Sequence, residues 1–145
     1  MIRRLSACCL LVAALVLALA RTAGAADLTV VVTGLGSDDG DVHIAVYDTP
    51  ETFPKGGVML REGLPKPQDR RAIWRFENLP PGRYAVATFH DANGNHSFDQ
   101  GLFGIPLEPY GFSSGATALF SAPAFEEAAF DLPADGLTIT IDLGK

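Results

Sequence analysis

The residues best placed to do chemistry are oxygen-bearing side chains on alternate positions of one short segment, Asp91-Ala92-Asn93-Gly94-Asn95-His96-Ser97-Phe98-Asp99. Counting Asp91 as position 1, oxygens fall at positions 1, 3, 5 and 9, with Ser97 at position 7, where a backbone carbonyl serves. This is the front half of an EF-hand-type or dockerin-type calcium loop. Calcium is a hard cation that takes roughly 6 to 8 oxygens, and alternating Asx side chains on a tightly curled loop converge on one centre. Phe98 stands at position 8, where such loops bury an apolar residue. Two positions depart from the pattern. Position 6 is His96 instead of Gly, and position 12 is Leu102 instead of Glu, so the missing carboxylate would come from Asp99 or from a distant residue such as Glu108. The expected metal set is therefore Asp91, Asn93, Asn95, Ser97 and Asp99. The expected cofactor is Ca2+ at a dissociation constant on the order of 10⁻⁴ to 10⁻³ M.

Two alternatives use the same residues. Asn93-Gly94 is a strong type I′ turn dipeptide, so a solvated turn needs no ion. His43, His90 and His96 are the only histidines, and His90 and His96 flank the loop, which opens a copper or zinc reading with wider spacing than soft-metal sites usually show. His90, next to Asp91, is expected to orient the loop by hydrogen bonding, and His43 falls on the outer face of its strand. Just downstream, Phe103, Tyr110 and Phe112 sit among Gly and Pro. They would either form a ligand-binding platform for a sugar ring or apolar partner, or fold back to close the open end of the domain, and closure is the expectation.

Catalytic constellations are sparse. There is no G-x-S-x-G elbow and no H-E-x-x-H, and Ser113 and Ser114 lack a partnered base in the sequence, so they read as loop hydroxyls. The expectation is a non-enzymatic module. Its rivals are a small periplasmic hydrolase using His90 with Asp91 or Asp99, and a purely structural envelope protein.

The elements that must position these residues are strands. Leu28, Val30 and Val32 alternate with polar or outward positions, as do Val42, Ile44 and Val46; Ala72, Trp74 and Phe76; Tyr84, Val86 and Thr88; and Leu137, Ile139, Ile141 and Leu143. Ser37-Asp38-Asp39-Gly40 supplies turn chemistry that predicts a hairpin between the first two strands. Trp74 reads as ordinary core. The only helical candidate is one turn near Ala124 to Ala128. Long Gly- and Pro-rich connections, Thr49 to Arg70 and Asp91 to Pro123, mark the functional or ion-pinned loops. The fold class is all-β, a single antiparallel sandwich of about seven strands, immunoglobulin-like or transthyretin-like.

The N-terminus predicts export. Met1-Ile2-Arg3-Arg4, the apolar run Leu5 to Ala20 and Ala23-Gly24-Ala25 form the three regions of a cleavable signal peptide, so residues 1–25 are expected to be removed. The run is shorter than the about 20 residues that a membrane anchor needs. Leu5-Ser6-Ala7-Cys8 precedes the apolar run instead of following it, which argues against lipidation. Cleavage takes away Cys8 and Cys9, leaving 120 residues, 26–145, without a thiol. It also removes three arginines, so 8 basic residues face 17 acidic ones and the net charge falls from −6 to −9. That balance disfavours nucleic acid and anionic membrane, tolerates divalent cations, and leaves an unknown ligand or envelope partner as the expected contact.

Phe76-Glu77-Asn78-Leu79-Pro80-Pro81-Gly82-Arg83-Tyr84-Ala85-Val86 resembles a hairpin that recurs in transthyretin-like and carboxypeptidase-regulatory-like sandwiches. Pro80 and Pro81 fix φ and Gly82 supplies the turn, which predicts a tight reversal between two core strands. The transthyretin-like fold also hosts a ureide hydrolase, whose C-terminal Tyr-Arg-Gly-Ser signature is absent here. From Leu28 to Leu143 the chain resembles the uncharacterised bacterial exported-protein family known as domain of unknown function 2141. The residues that carry the match are Val42 to Asp48, the Pro-Pro-Gly segment, Phe89-His90-Asp91-x-Asn93-Gly94-Asn95, Phe103-Gly104-Ile105-Pro106 and Tyr110-Gly111-Phe112-Ser113. That resemblance implies a fold and an export route, and no reaction.

Overall fold

The computed structural model describes residues 24–144, so almost all of the expected export segment lies outside the described residues. Eight strands run through it: β1 (Ala26–Thr33), β2 (Asp41–Tyr47), β3 (Arg61–Gly63), β4 (Ala72–Leu79), β5 (Gly82–Asp91), β6 (Tyr110–Phe112), β7 (Phe130–Leu132) and β8 (Leu137–Asp142). One helical turn, α1 (Phe125–Ala128), falls where the sequence places it. The Glu127 carboxylate caps it by accepting the Ala124 N–H at 2.7 Å. No helix among the described residues is long and apolar enough to cross a membrane.

The strands form two sheets, ordered β4-β1-β8 and β3-β2-β5-β6, with β7 also pairing β5. This corrects the expected hairpins. β1 and β2 belong to different sheets, as do β4 and β5, so the Ser37–Gly40 and Pro80–Gly82 turns are crossovers between sheets. Alternation looks the same whether a strand pairs with its successor or faces it across the core. Tyr84 closes the second crossover by donating its hydroxyl to the Pro80 carbonyl at 2.7 Å. Nor are the sheets wholly antiparallel: β1 pairs β8 in parallel, Leu28 opposite Leu137 through Thr33 opposite Asp142.

One apolar cluster joins the two sheets. Leu28, Val30 and Val32 of β1, Phe76 and Leu79 of β4, and Ile141 of β8 meet Val42, Ile44 and Val46 of β2 and Tyr84 and Val86 of β5. Trp74 is not among them. It remains 38% exposed on β4, its indole lying over Gly63 of β3, where any Cβ would overlap the ring.

The second sheet is buried on its outer face as well. Ala45, Tyr47, Phe53, Ala85, Phe125 and Ala128 form a separate cluster there, under the 49–60 connection and α1. Six consecutive residues of β2 are therefore buried, a run that reads as continuous because both faces are covered. Period two still decides which residue faces which way. His43 pairs directly with Phe89, and Asp41 with Asp91, so His43, Phe89 and Asp91 share the outer face while His90 turns inward.

Candidate functional site

Asp91 ends β5, fully buried, and its carboxylate organises everything after it. Oδ1 accepts the N–H of Gly94 at 2.8 Å and of Asn95 at 3.2 Å, and Oδ2 accepts the N–H of His96 at 2.7 Å. Burial alone would push this carboxyl up. The N–H groups of His96, Gly94 and Asn95, with His43 nearby, instead hold it below the usual carboxylate range.

The other expected metal residues converge on Asp99. Asn93 Nδ2 donates to Asp99 Oδ2 at 2.7 Å, and Asn95 Nδ2 donates to both Asp99 oxygens at 3.0 Å. The Asn93 and Asn95 amide oxygens take the N–H groups of Asn95 and Ser97, both at 2.9 Å. The loop thus closes on its own hydrogen bonds, with Ser97 contributing its backbone N–H. Asp99 N–H donates to Glu108 Oε2 at 3.0 Å, while Glu108 Oε1 is buried without a partner. Burial pushes the Glu108 carboxyl up, as do the charges of Asp91 and Asp99, against the Asp99 N–H and His43.

His96, where calcium loops carry Gly, takes φ of +59°. Its ring lies 5.8 Å from that of His43, edge to face. His43 is 8% exposed and stacks on Phe89, ring centroids 4.4 Å apart and 8° from parallel. Its Nδ1 donates to Glu62 Oε1 of β3 at 3.2 Å. Its Nε2 is buried without a hydrogen-bond partner and stands 3.6 Å from Asp91 Oδ2.

His90 does not join these groups. Adjacent strand residues point to opposite faces, and His90 Nε2 donates to the Asp39 carbonyl at 2.8 Å, fixing the first crossover instead of the 91–99 loop. Ser113 Oγ is likewise spoken for: it donates to the Ala128 carbonyl at 2.5 Å and accepts the Val86 N–H at 2.9 Å. The pairing of His90 with Asp91 or Asp99 that a hydrolase would need is not assembled, and Ser113 is a structural hydroxyl.

Beyond His43 the outer face becomes an aromatic groove of about 760 Å³. Phe89 meets Phe98 at 5.2 Å, Phe98 meets Tyr110 at 5.8 Å, and Tyr110 meets Phe112 at 5.8 Å. Phe112 continues to Phe53, and Phe53 to Tyr47. Phe98 is thus not in the core, as position 8 of a calcium loop predicts; it lies over the groove and stays 37% exposed. Of Phe103, Tyr110 and Phe112, expected to fold back over the end of the domain, the last two pack onto the sheet and Phe103 does not. Tyr110 and Phe112 lie half-buried along the groove on β6, and Phe103 is 99% exposed at its rim, beside Ile105, Leu119 and Phe120, which are also exposed.

Sequence reasoning named His43 only within a three-histidine reading, and missed Glu62, Phe89 and Tyr47 as site residues. The signal for His43 and Phe89 was present in the alternation of β2 and β5, since both fall on the face opposite the valines. The three-residue strand that carries Glu62 is too short to show a period.

The family model described as "Uncharacterized protein conserved in bacteria (DUF2141)" matches residues 30–140. The chain belongs to this family. The matched span includes every residue of the loop and the groove named above. Searches of the curated proteins and of the solved structures find no match.

Proposed function

We propose that this family member is an exported, non-enzymatic β-sandwich module that binds a small apolar or aromatic molecule in the groove on the outer face of its second sheet. The observation that carries the reading is the groove itself. Its volume of about 760 Å³ falls within the roughly 300–1,000 Å³ of small-molecule sites, and its walls are mainly apolar, with Tyr47, Phe89, Phe98, Tyr110 and Phe112 among them and polar groups such as His43 and Glu62. Apolar rim residues such as Phe103 and Phe120, left exposed around such an opening, are what an interaction site has and a closed end lacks. Export is supported by the Met1–Ala25 pattern. The sandwich is supported by the cluster shared between the sheets and by the Tyr84–Pro80 bond, which resembles a tyrosine corner.

An environment-sensitive apolar dye tests the groove. The protein should bind it saturably, and Ala87→Leu, which puts a branched side chain into the groove, should abolish binding at a stability cost no greater than the about 1–3 kcal/mol of an added side chain in a packed site. Undiminished binding to Ala87→Leu would remove the reading.

Calcium is the second part of the proposal, favoured by the meeting of Asn93, Asn95 and Asp99 side chains at one point. To present oxygens to an ion, both amides must turn over and give up their bonds to the Asn95 and Ser97 N–H groups. That cost restricts binding to the weak extracellular class, about 10⁻⁴ to 10⁻³ M. At millimolar calcium the gain is about 0.4 to 1.4 kcal/mol. Calorimetric titration should show this weak binding and chelator should lower the melting temperature slightly; no heat and no shift would leave a self-sufficient turn.

A further inference from the structure

We propose that His43, Asp91 and His96 form a binding site for one borderline divalent transition metal of the Zn2+ class, with Glu62 as the positioning residue behind His43. The ligand atoms of the three residues all lie within 4.8 Å of one another. The second observation is the orphaned nitrogen. His43 spends its Nδ1 proton on Glu62, so a neutral ring turns the Nε2 lone pair toward Asp91 Oδ2, itself an acceptor. Two acceptors facing each other in a buried space are unfavourable unless something positive lies between them.

A separation of 3.6 Å is too long for a hydrogen bond. It suits two ligands of one ion. Bonds of about 2.1 Å at a tetrahedral angle put neighbouring ligand atoms about 3.4 Å apart. Asp91 Oδ2 keeps a lone pair free, because it accepts only the His96 N–H, whereas Oδ1 already takes the N–H groups of Gly94 and Asn95. His96 is exposed and free to turn, while its own N–H bond to Asp91 Oδ2 tethers it beside the site.

The donor set selects the metal. Two imidazoles and a carboxylate suit zinc and its neighbours, whereas calcium prefers an all-oxygen shell. Glu62 on the remote nitrogen of His43 completes the carboxylate–histidine–metal arrangement that fixes ring orientation and strengthens the ligand. Three protein ligands leave a fourth position for water or for a group in the adjoining groove.

The test is calorimetric titration of the untagged, chelator-stripped protein with Zn2+, followed by Co2+ absorption spectra. One equivalent should bind, and Co2+ should give the intense visible bands of a tetrahedral site. His43→Gln and His96→Gln should each weaken binding by more than the roughly 10- to 100-fold that Glu62→Gln causes. Asp99→Asn and millimolar Ca2+ should leave Zn2+ binding unchanged, which separates this site from the loop's calcium reading. His96 is exposed, so its variant folds even if the buried His43 variant does not. Absence of stoichiometric binding, or wild-type affinity in His96→Gln, would overturn the proposal without touching the groove.

Discussion

In the Asp91–Asp99 loop every side-chain carboxylate and amide oxygen of Asp91, Asn93, Asn95 and Asp99 ends on an N–H of the same loop. In the rim that follows it, Leu102, Phe103, Leu119 and Phe120 touch almost nothing. The first segment has a conformation dictated from within by one buried carboxylate. The second leaves its apolar area exposed. Side by side, they show how a hydrogen-bonded polar loop can carry an exposed apolar one: the loop rests on β5 through the Phe98 ring on Phe89, and the rim is tied to Asp99 by its bonds with Glu108 and Leu107.

Breaking the hydrogen-bonded half should have the largest effect. Asp91→Ala leaves the Gly94 and His96 N–H groups without their acceptor, while Asn95 keeps Asn93 Oδ1, and a loss of about 2 kcal/mol or more is expected in chemical denaturation. A loss below 1 kcal/mol would mean that water satisfies those groups equally well and that the loop is not organised from Asp91.

Trimming the rim should do the opposite. Phe103→Ser with Phe120→Ser should change stability by no more than about 0.5 kcal/mol per site while weakening dye or ligand binding severalfold. Loss of stability would show that these rings fold back after all.

A control outside both regions has the smallest effect. Asp27 accepts from the Arg75 guanidinium and from the Asn78 N–H at 3.1 Å, and these bonds hold its carboxyl below the usual range. A depressed folded value gives stability that is present above the unfolded value of about 3.9 and is lost as pH falls through the folded one. Asp27→Asn should therefore lower the melting temperature slightly at neutral pH, with the deficit closing in acid. A deficit that persists at low pH would assign the effect to packing instead.

Much of this was legible in the residues. The cores of β1, β2, β4, β5 and β8 follow from alternation, and the Asx loop from its spacing. What alternation does not contain is the identity of the neighbour. Val32 and Val42 look like two sides of a hairpin whether they pair or face each other across the core, and here they face. Strands of three residues, β3, β6 and β7, carry no measurable period, so Glu62, Tyr110 and Phe112 could not be assigned to one face. Trp74 went astray for a related reason: its residue type says core, but an edge strand opposite Gly63 gives it a ledge and not a pocket.

The parallel pairing of β1 with β8 carries a kinetic consequence. β1 is the middle strand of its sheet, yet one of its two edges waits for Leu137–Asp142, its most distant partner along the sequence. Closing so long a loop before any contact rewards it makes folding slow. A chain that folds from its N-terminal strands keeps that edge of β1 open until Leu137–Asp142 reaches it, so the β1 amides facing β8 should be the last of the sheet to gain protection in pulsed hydrogen exchange.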